Sequence, residues 1–214
     1  MAFPVIGASL YLYPAVGVAL VATTFLLIAA IVIGGVVRSY PHSRFGLCNA
    51  VTSIRAGMVC ILAGALASPS TLSTHPTALI GISGIVLIMD GFDGWLARRS
   101  RLTSSFGARF DVETDALISA ILAMLCFSTS AAGPAVLILG FTHYAFQAAR
   151  CIWPKLNAPL PDSSYRKTIC VVQVLVLIYA LVPGAVGVNA VVTLAAVAVL
   201  GSFASDVRWL VRDR

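Results

Sequence analysis

Residues 90–115 read DGFDGWLARRSRLTSSFGARFDVETD. This island carries five of the chain's eight acidic residues, and it lies between two 34-residue blocks, 56–89 and 116–149, that contain no Asp, Glu, Lys or Arg. A helix needs about 20 apolar residues to cross roughly 30 Å of hydrocarbon. Each block therefore fits two spans and a short turn, and each has breakers near its middle: Pro69 and Pro76 in one, Gly133-Pro134 in the other. The island reads as a polar connection between two apolar helices. A third charge-free block, 168–205, is broken at Pro183-Gly184 and gives a third helical hairpin. The spans are expected near 50–68, 77–97, 107–131, 134–153, 168–183 and 186–205.

The first block, 1–37, is also free of charge, and Pro14 divides it. Residues 1–13 are too short to cross, whereas 15–37 are long enough for one additional span. Tyr11 and Tyr13 are expected at the interface as an aromatic anchor. No Lys or Arg precedes Arg38, so the positive region of a cleaved signal peptide is missing. The predicted fold is all-α, a polytopic membrane helical bundle treated as one integral membrane domain over 1–214. With seven spans, all 14 Lys and Arg fall on one side of the membrane. The positive-inside rule then places the charged islands and the C-terminus in the cytoplasm and the N-terminus outside.

Composition excludes most other classes. Hydrophobic residues make up 59% of the 214 positions and charged residues 10%, against roughly 45–50% and about 25% in soluble proteins. A net charge of +6 would ordinarily raise the question of nucleic acid. Here topology accounts for most of the basic residues, and no nucleic-acid partner is expected. The five cysteines form no CxxC pair and read as small apolar residues; the three histidines are dispersed, without zinc-ligand spacing.

Carboxylates at a membrane edge are costly and point to function. Asp90 and Asp93 are spaced i, i+3 at the end of one apolar helix, and Asp111 and Asp115 i, i+4 at the start of the next. Each pair projects from one face. Glu113 lies about 200° around the helix from Asp111 and should point away. Four converging carboxylates need cations. Hard oxygen ligands suit magnesium, manganese or calcium, and two divalent ions would balance the four charges. The competing reading is a solvated loop whose acids are balanced by Arg98, Arg99, Arg101 and Arg109.

The full pattern is Asp90-x2-Asp93-Gly94-x2-Ala97-Arg98-x8-Gly107-x3-Asp111-x3-Asp115. In this it resembles the CDP-alcohol phosphotransferase (CDP-alcohol phosphatidyltransferase) family, and the resemblance covers roughly 40–205, a six-helix core that leaves the 15–37 span outside it. Gly94 and Ala97 continue the Asp90 face and Gly107 precedes Asp111 by one turn. Such small residues either admit a ligand to the helix backbone or allow close helix packing. The resemblance implies that a cytidine diphosphate group sits here, with Arg98 near its phosphates. A second segment, Asn49-x2-Thr52-x2-Arg55, looks like the family's first-helix motif, which helps to hold the nucleotide; alone, Asn49 could merely cap a helix.

The resemblance further implies a chemistry. A phosphatidyl group moves from a CDP-linked donor, CDP-diacylglycerol in bacterial relatives, to an alcohol, with release of CMP. Asp90, Asp93, Asp111 and Asp115 would hold two Mg2+ (or Mn2+) ions, and Asp115 would also act as general base. The site is expected on the cytoplasmic side of a bacterial inner membrane; relatives are often homodimers, and the sequence itself does not set the oligomeric state. Arg150, Arg166 and Lys167 are candidates for gripping the phosphate of an acceptor such as glycerol 3-phosphate, Arg166-Lys167-Thr168 being similar to the basic segment of phosphatidylglycerophosphate synthases; His143 and Tyr144 could line the same pocket. The alternatives are a serine, choline or inositol-type acceptor, a CDP-alcohol donor with diacylglycerol as acceptor, a catalytically dead scaffold, and a divalent-cation transporter.

Overall fold

The computed structural model describes residues 1–40, 46–99, 104–158 and 163–212, with residues 39, 93–99 and 164 described by their backbone alone. Among these residues the chain is helical and has no strand: α1 (Ala2–Leu12), α2 (Ala15–Ser39), α3 (Leu47–Gly64), the single turn α4 (Thr71–Thr74), α5 (Pro76–Arg99), α6 (Ser105–Ser128), α7 (Val136–Ile152), α8 (Ser164–Ala180) and α9 (Val188–Arg212). A 3-10 turn, Pro154–Asn157, follows α7. The protein is an all-α membrane helical bundle.

A helix occupies every expected span. Three of them, α2, α3 and α9, are long and apolar enough to cross a bilayer by length and composition. α7 is shorter, Val136–Ile152; its 17 residues rise about 25 Å. Among the described residues most charges lie within helices near their ends, with Arg55 midway along α3 and Lys155 in the 3-10 turn. α9 runs on through Arg212, past the expected end at 205, because Asp206 and Arg208 belong to its last turns. α8 begins before Thr168 because the Ser163 side chain accepts a hydrogen bond from the Arg166 amide, which caps the helix.

By internal contacts the chain forms two compact units, Met1–Ile121 and Leu122–Arg214. In the first, α3 packs on α2 and α5, and α1 lies against both α2 and α3. Tyr13 departs from the expected interface position: it is buried, and its hydroxyl donates to the Ile61 carbonyl at 2.7 Å. Two glycines make room for it. A Cβ on Gly64 would come within 2.7 Å of the Tyr13 ring and 2.6 Å of Val21, and one on Gly17 within 2.7 Å of the Tyr13 Cβ. The buried ring joins α1 to α3 through space that only glycine leaves open. Tyr11 is exposed.

In the second unit α9 packs on α7 and α8. Gly184 and Gly187 take positive φ values of 76° and 69° in the turn between α8 and α9, a conformation that glycine adopts without a Cβ penalty. The Gln173 amide donates to the Leu139 carbonyl, Cys126 Sγ lies 3.6 Å from the Leu177 carbonyl, and the Phe146 and Phe203 rings meet at 5.5 Å. Arg166 Nη1 pairs with Asp206 at 2.9 Å.

The glycine seat of Tyr13 is open to test. Gly64→Ala should lower stability by about 1–3 kcal/mol through overpacking, read as a lower unfolding temperature in detergent. Gly84→Ala, whose added Cβ would meet nothing within 4 Å, should leave that temperature unchanged or slightly raised. Equal behaviour of the two variants would contradict the packing account.

Candidate active site

The site lies in the first unit and is built from three helices. Helix α3 presents Asn49, Thr52 and Arg55 at a spacing of three, and all three are buried. Arg55 sits midway along α3, and its side chain is 1% exposed. An unpaired guanidinium there would be very costly. It is paired: Nη2 lies 3.1 Å from Asp90 Oδ1 on α5, Nη1 donates to Asp111 Oδ1 at 2.7 Å, and Nη2 also contacts Asp115 Oδ1, both of these acids coming from α6. The i, i+4 spacing of Asp111 and Asp115 puts both on the face that meets α3. Glu113, between them, is exposed and outside this group, as its angular position requires.

The three carboxylates remain partly open, with side chains 28–39% exposed. One oxygen from each lies within 4.8 Å of the others. Oxygens bound to one hard divalent ion at about 2.0–2.6 Å span similar separations, so Asp90, Asp111 and Asp115 fit a divalent cation by donor type and by spread. Among the described residues one guanidinium meets three carboxylates, an arrangement that favours a further cation. Asp93, Gly94, Ala97 and Arg98 belong to the backbone of α5, and their side chains lie outside the described residues.

Asn49 and Gly107 come together at the edge of this site. A Cβ on Gly107 would lie 2.6 Å from Asn49 Oδ1, so the missing side chain at 107 is used for close packing against Asn49. The Asn49 amide donates to the Tyr40 hydroxyl at 3.1 Å, and Thr52 Oγ1 donates to the Cys48 carbonyl at 3.1 Å. Beside the site, Phe25, Ile28, Val32, Ala56, Gly57 and Phe110 line an apolar cavity of about 170 Å³. Ala56 and Phe110 are the chain neighbours of Arg55 and Asp111.

The basic residues considered for an acceptor belong to the second unit. Arg150 donates from Nε to Asn157 Oδ1 at 3.1 Å and from Nη1 to Gln147 Oε1 at 3.2 Å. Arg166 is held by Asp206, and Lys167 is exposed. The His143 and Tyr144 rings meet edge to face at 5.5 Å.

Two features were not drawn from the sequence. The first is the direct pairing of Arg55 with the acids; its signal was a charge well inside an apolar helix, which in a membrane demands a partner. The second is Tyr40, for which the linear pattern holds no signal.

Fold and site together define a membrane-embedded protein with a carboxylate group suited to a divalent ion at the ends of apolar helices. The family model for CDP-alcohol phosphatidyltransferase matches residues 45–202, well over half the chain, and the chain belongs to that family. Its members are transferases that move a phosphatidyl group between a CDP-alcohol and an alcohol. Comparison with curated proteins and with solved structures gives no match.

The ion-pair geometry predicts how stability responds to metal. Arg55→Met leaves the three carboxylates without their internal counter-charge. Stability in EDTA should fall by about 1–3 kcal/mol, less than for a wholly buried pair because the acids are partly exposed. Mg2+ should raise the unfolding temperature of the variant more than that of the wild type. An equal Mg2+ response in the two proteins would contradict this.

Proposed function

We propose that this transferase moves the phosphatidyl group of CDP-diacylglycerol to a small phosphorylated alcohol such as glycerol 3-phosphate and releases CMP. The observation that carries the reading is the convergence of Asp90, Asp111 and Asp115 on one buried arginine, within the segment that matches the family. Support for a lipid-tailed donor comes from the apolar cavity whose lining includes the chain neighbours of Arg55 and Asp111.

In this reading Asp90, Asp93, Asp111 and Asp115 hold two Mg2+ or Mn2+ ions. When bound, such ions neutralise a diphosphate and polarise a nearby hydroxyl. The remaining chemistry belongs to the chain. Asn49, Thr52, Arg98 and the small residues Gly94, Ala97 and Gly107 form the nucleotide subsite, and Arg55 joins it while holding the acids in place. The acceptor oxygen bonds to the phosphorus that carries diacylglycerol, the bond from that phosphorus to the CMP oxygen breaks, and the electron pair leaves with CMP. Asp115 takes the acceptor's proton. A free alcohol is far less acidic than a carboxylic acid, so this transfer belongs late, as the new bond forms.

The acceptor phosphate is assigned to Arg150, Arg166 and Lys167, with Arg166 oriented by Asp206. The site is assigned to the cytoplasmic face of a bacterial inner membrane, with the N-terminus outside, from the one-sided distribution of Lys and Arg.

Asp115→Asn should reduce Mg2+-dependent CMP release by at least about 100-fold, measured with purified protein and CDP-diacylglycerol. Wild-type-like turnover would overturn the base assignment. In the same assay, a panel of radiolabelled alcohols should give product with glycerol 3-phosphate; product with serine or choline alone would refute the phosphate-acceptor reading.

A further inference from the structure

The family match begins at residue 45, so α1, α2 and Tyr40 lie outside it. These outside residues nevertheless reach the edge of the site. Asn49 is 5% exposed, and a buried amide must satisfy its polar atoms. Its Nδ2 donates to the Tyr40 hydroxyl at 3.1 Å. Its Oδ1 is turned toward Gly107, where a Cβ would approach to 2.6 Å. The amide is therefore held between the residue that follows α2 and the first turn of α6.

A second set of contacts ties the same two elements. The Phe106 ring lies directly over Gly35, so closely that a Cβ at 35 would overlap it. The Tyr40 ring meets Phe106 edge to face at 6.0 Å, and Phe106 stacks on Phe110 at 6.0 Å, one residue before Asp111. Gly35 and Tyr40, which lie outside the matched segment, thus contact Asn49 and Phe106 inside it. A glycine on α2 and a glycine on α6 are what allow these approaches.

We propose that Tyr40 is a positioning residue for the nucleotide subsite: its hydroxyl fixes the Asn49 amide in the orientation that receives the cytidine diphosphate group, and the α2 segment exists in part to deliver it. This rests on the assignment of Asn49 to the nucleotide. Its hydroxyl meets the Asn49 amide and its ring meets Phe106; acting through Asn49, its effect should appear in nucleotide binding and leave the chemical step intact.

A double-mutant cycle over Tyr40→Phe and Asn49→Ala tests this, with two readouts: the dissociation constant for CDP in the presence of Mg2+, and KM and kcat for CDP-diacylglycerol by CMP release. Tyr40→Phe keeps the ring against Phe106 and removes only the hydroxyl. It should weaken CDP binding and raise KM three- to tenfold, about the worth of one neutral hydrogen bond, with kcat within twofold of wild type. Asn49→Ala should weaken CDP binding at least as much, and the double variant should be no worse than Asn49→Ala alone. An unchanged CDP affinity in Tyr40→Phe beside a weakened one in Asn49→Ala would overturn the proposal while leaving the nucleotide assignment standing. So would effects that multiply in the double variant, or a fall in unfolding temperature with no change in affinity. An unchanged affinity in Asn49→Ala would overturn the nucleotide assignment and the proposal with it.

Discussion

A guanidinium 1% exposed, shared by three carboxylates from two other helices, is the constraint on which the first unit depends. Opposite charges about 3 Å apart attract strongly where the local dielectric is low, and none of these groups could be left alone in an apolar helix bundle without a large desolvation cost. The pairing therefore dictates that α3, α5 and α6 meet at one place. Among the described residues one arginine meets three acids, and the partial exposure of those acids keeps the group open to an additional cation. The same interaction that assembles the helices thus leaves three carboxylates with the spread and donor type that could hold a divalent ion.

Much of this was legible in the sequence because membrane physics writes it there. The charge-free blocks located a helix at each expected span, since apolar length and charge exclusion are linear properties. The pairing of Asp111 with Asp115 was legible for a related reason: an i, i+4 interval translates directly into one helical face. What remained hidden were partners set by the packing of distant segments. Arg55 is separated from Asp111 by 56 positions and from Asp115 by 60, and its motif context pointed to the nucleotide alone. Tyr13 looked like an interface residue because Tyr near a span end usually is one. Its burial depends on Gly17 and Gly64, and nothing in the linear order connects them. Gly107 was ambiguous between ligand access and close packing, and in the structure its missing side chain accommodates Asn49.

The division of labour follows from where each residue type can be tolerated. Arg55 in the middle of α3 and Arg166 near the start of α8 are each paired with acids from other helices. Gly17, Gly35, Gly64 and Gly107 sit where an aromatic ring or an amide approaches the backbone. α2 combines both devices: its outer surface is apolar, while Gly35 and the Tyr40 that follows it meet residues of the matched segment. A helix added to a family core is easily taken for an anchor. Here its end is joined by a hydrogen bond to a buried amide in the motif that starts α3.

In the proposed function the carboxylates around Arg55 form a divalent-cation site that works together with a nucleotide. Its most direct test is a Mn2+ titration of the purified wild-type protein followed by electron paramagnetic resonance, with and without CDP. Saturable Mn2+ binding is expected, tighter when CDP is present, with CDP binding that by linkage tightens with Mn2+. Absence of saturable Mn2+ binding, or binding indifferent to CDP, would contradict it.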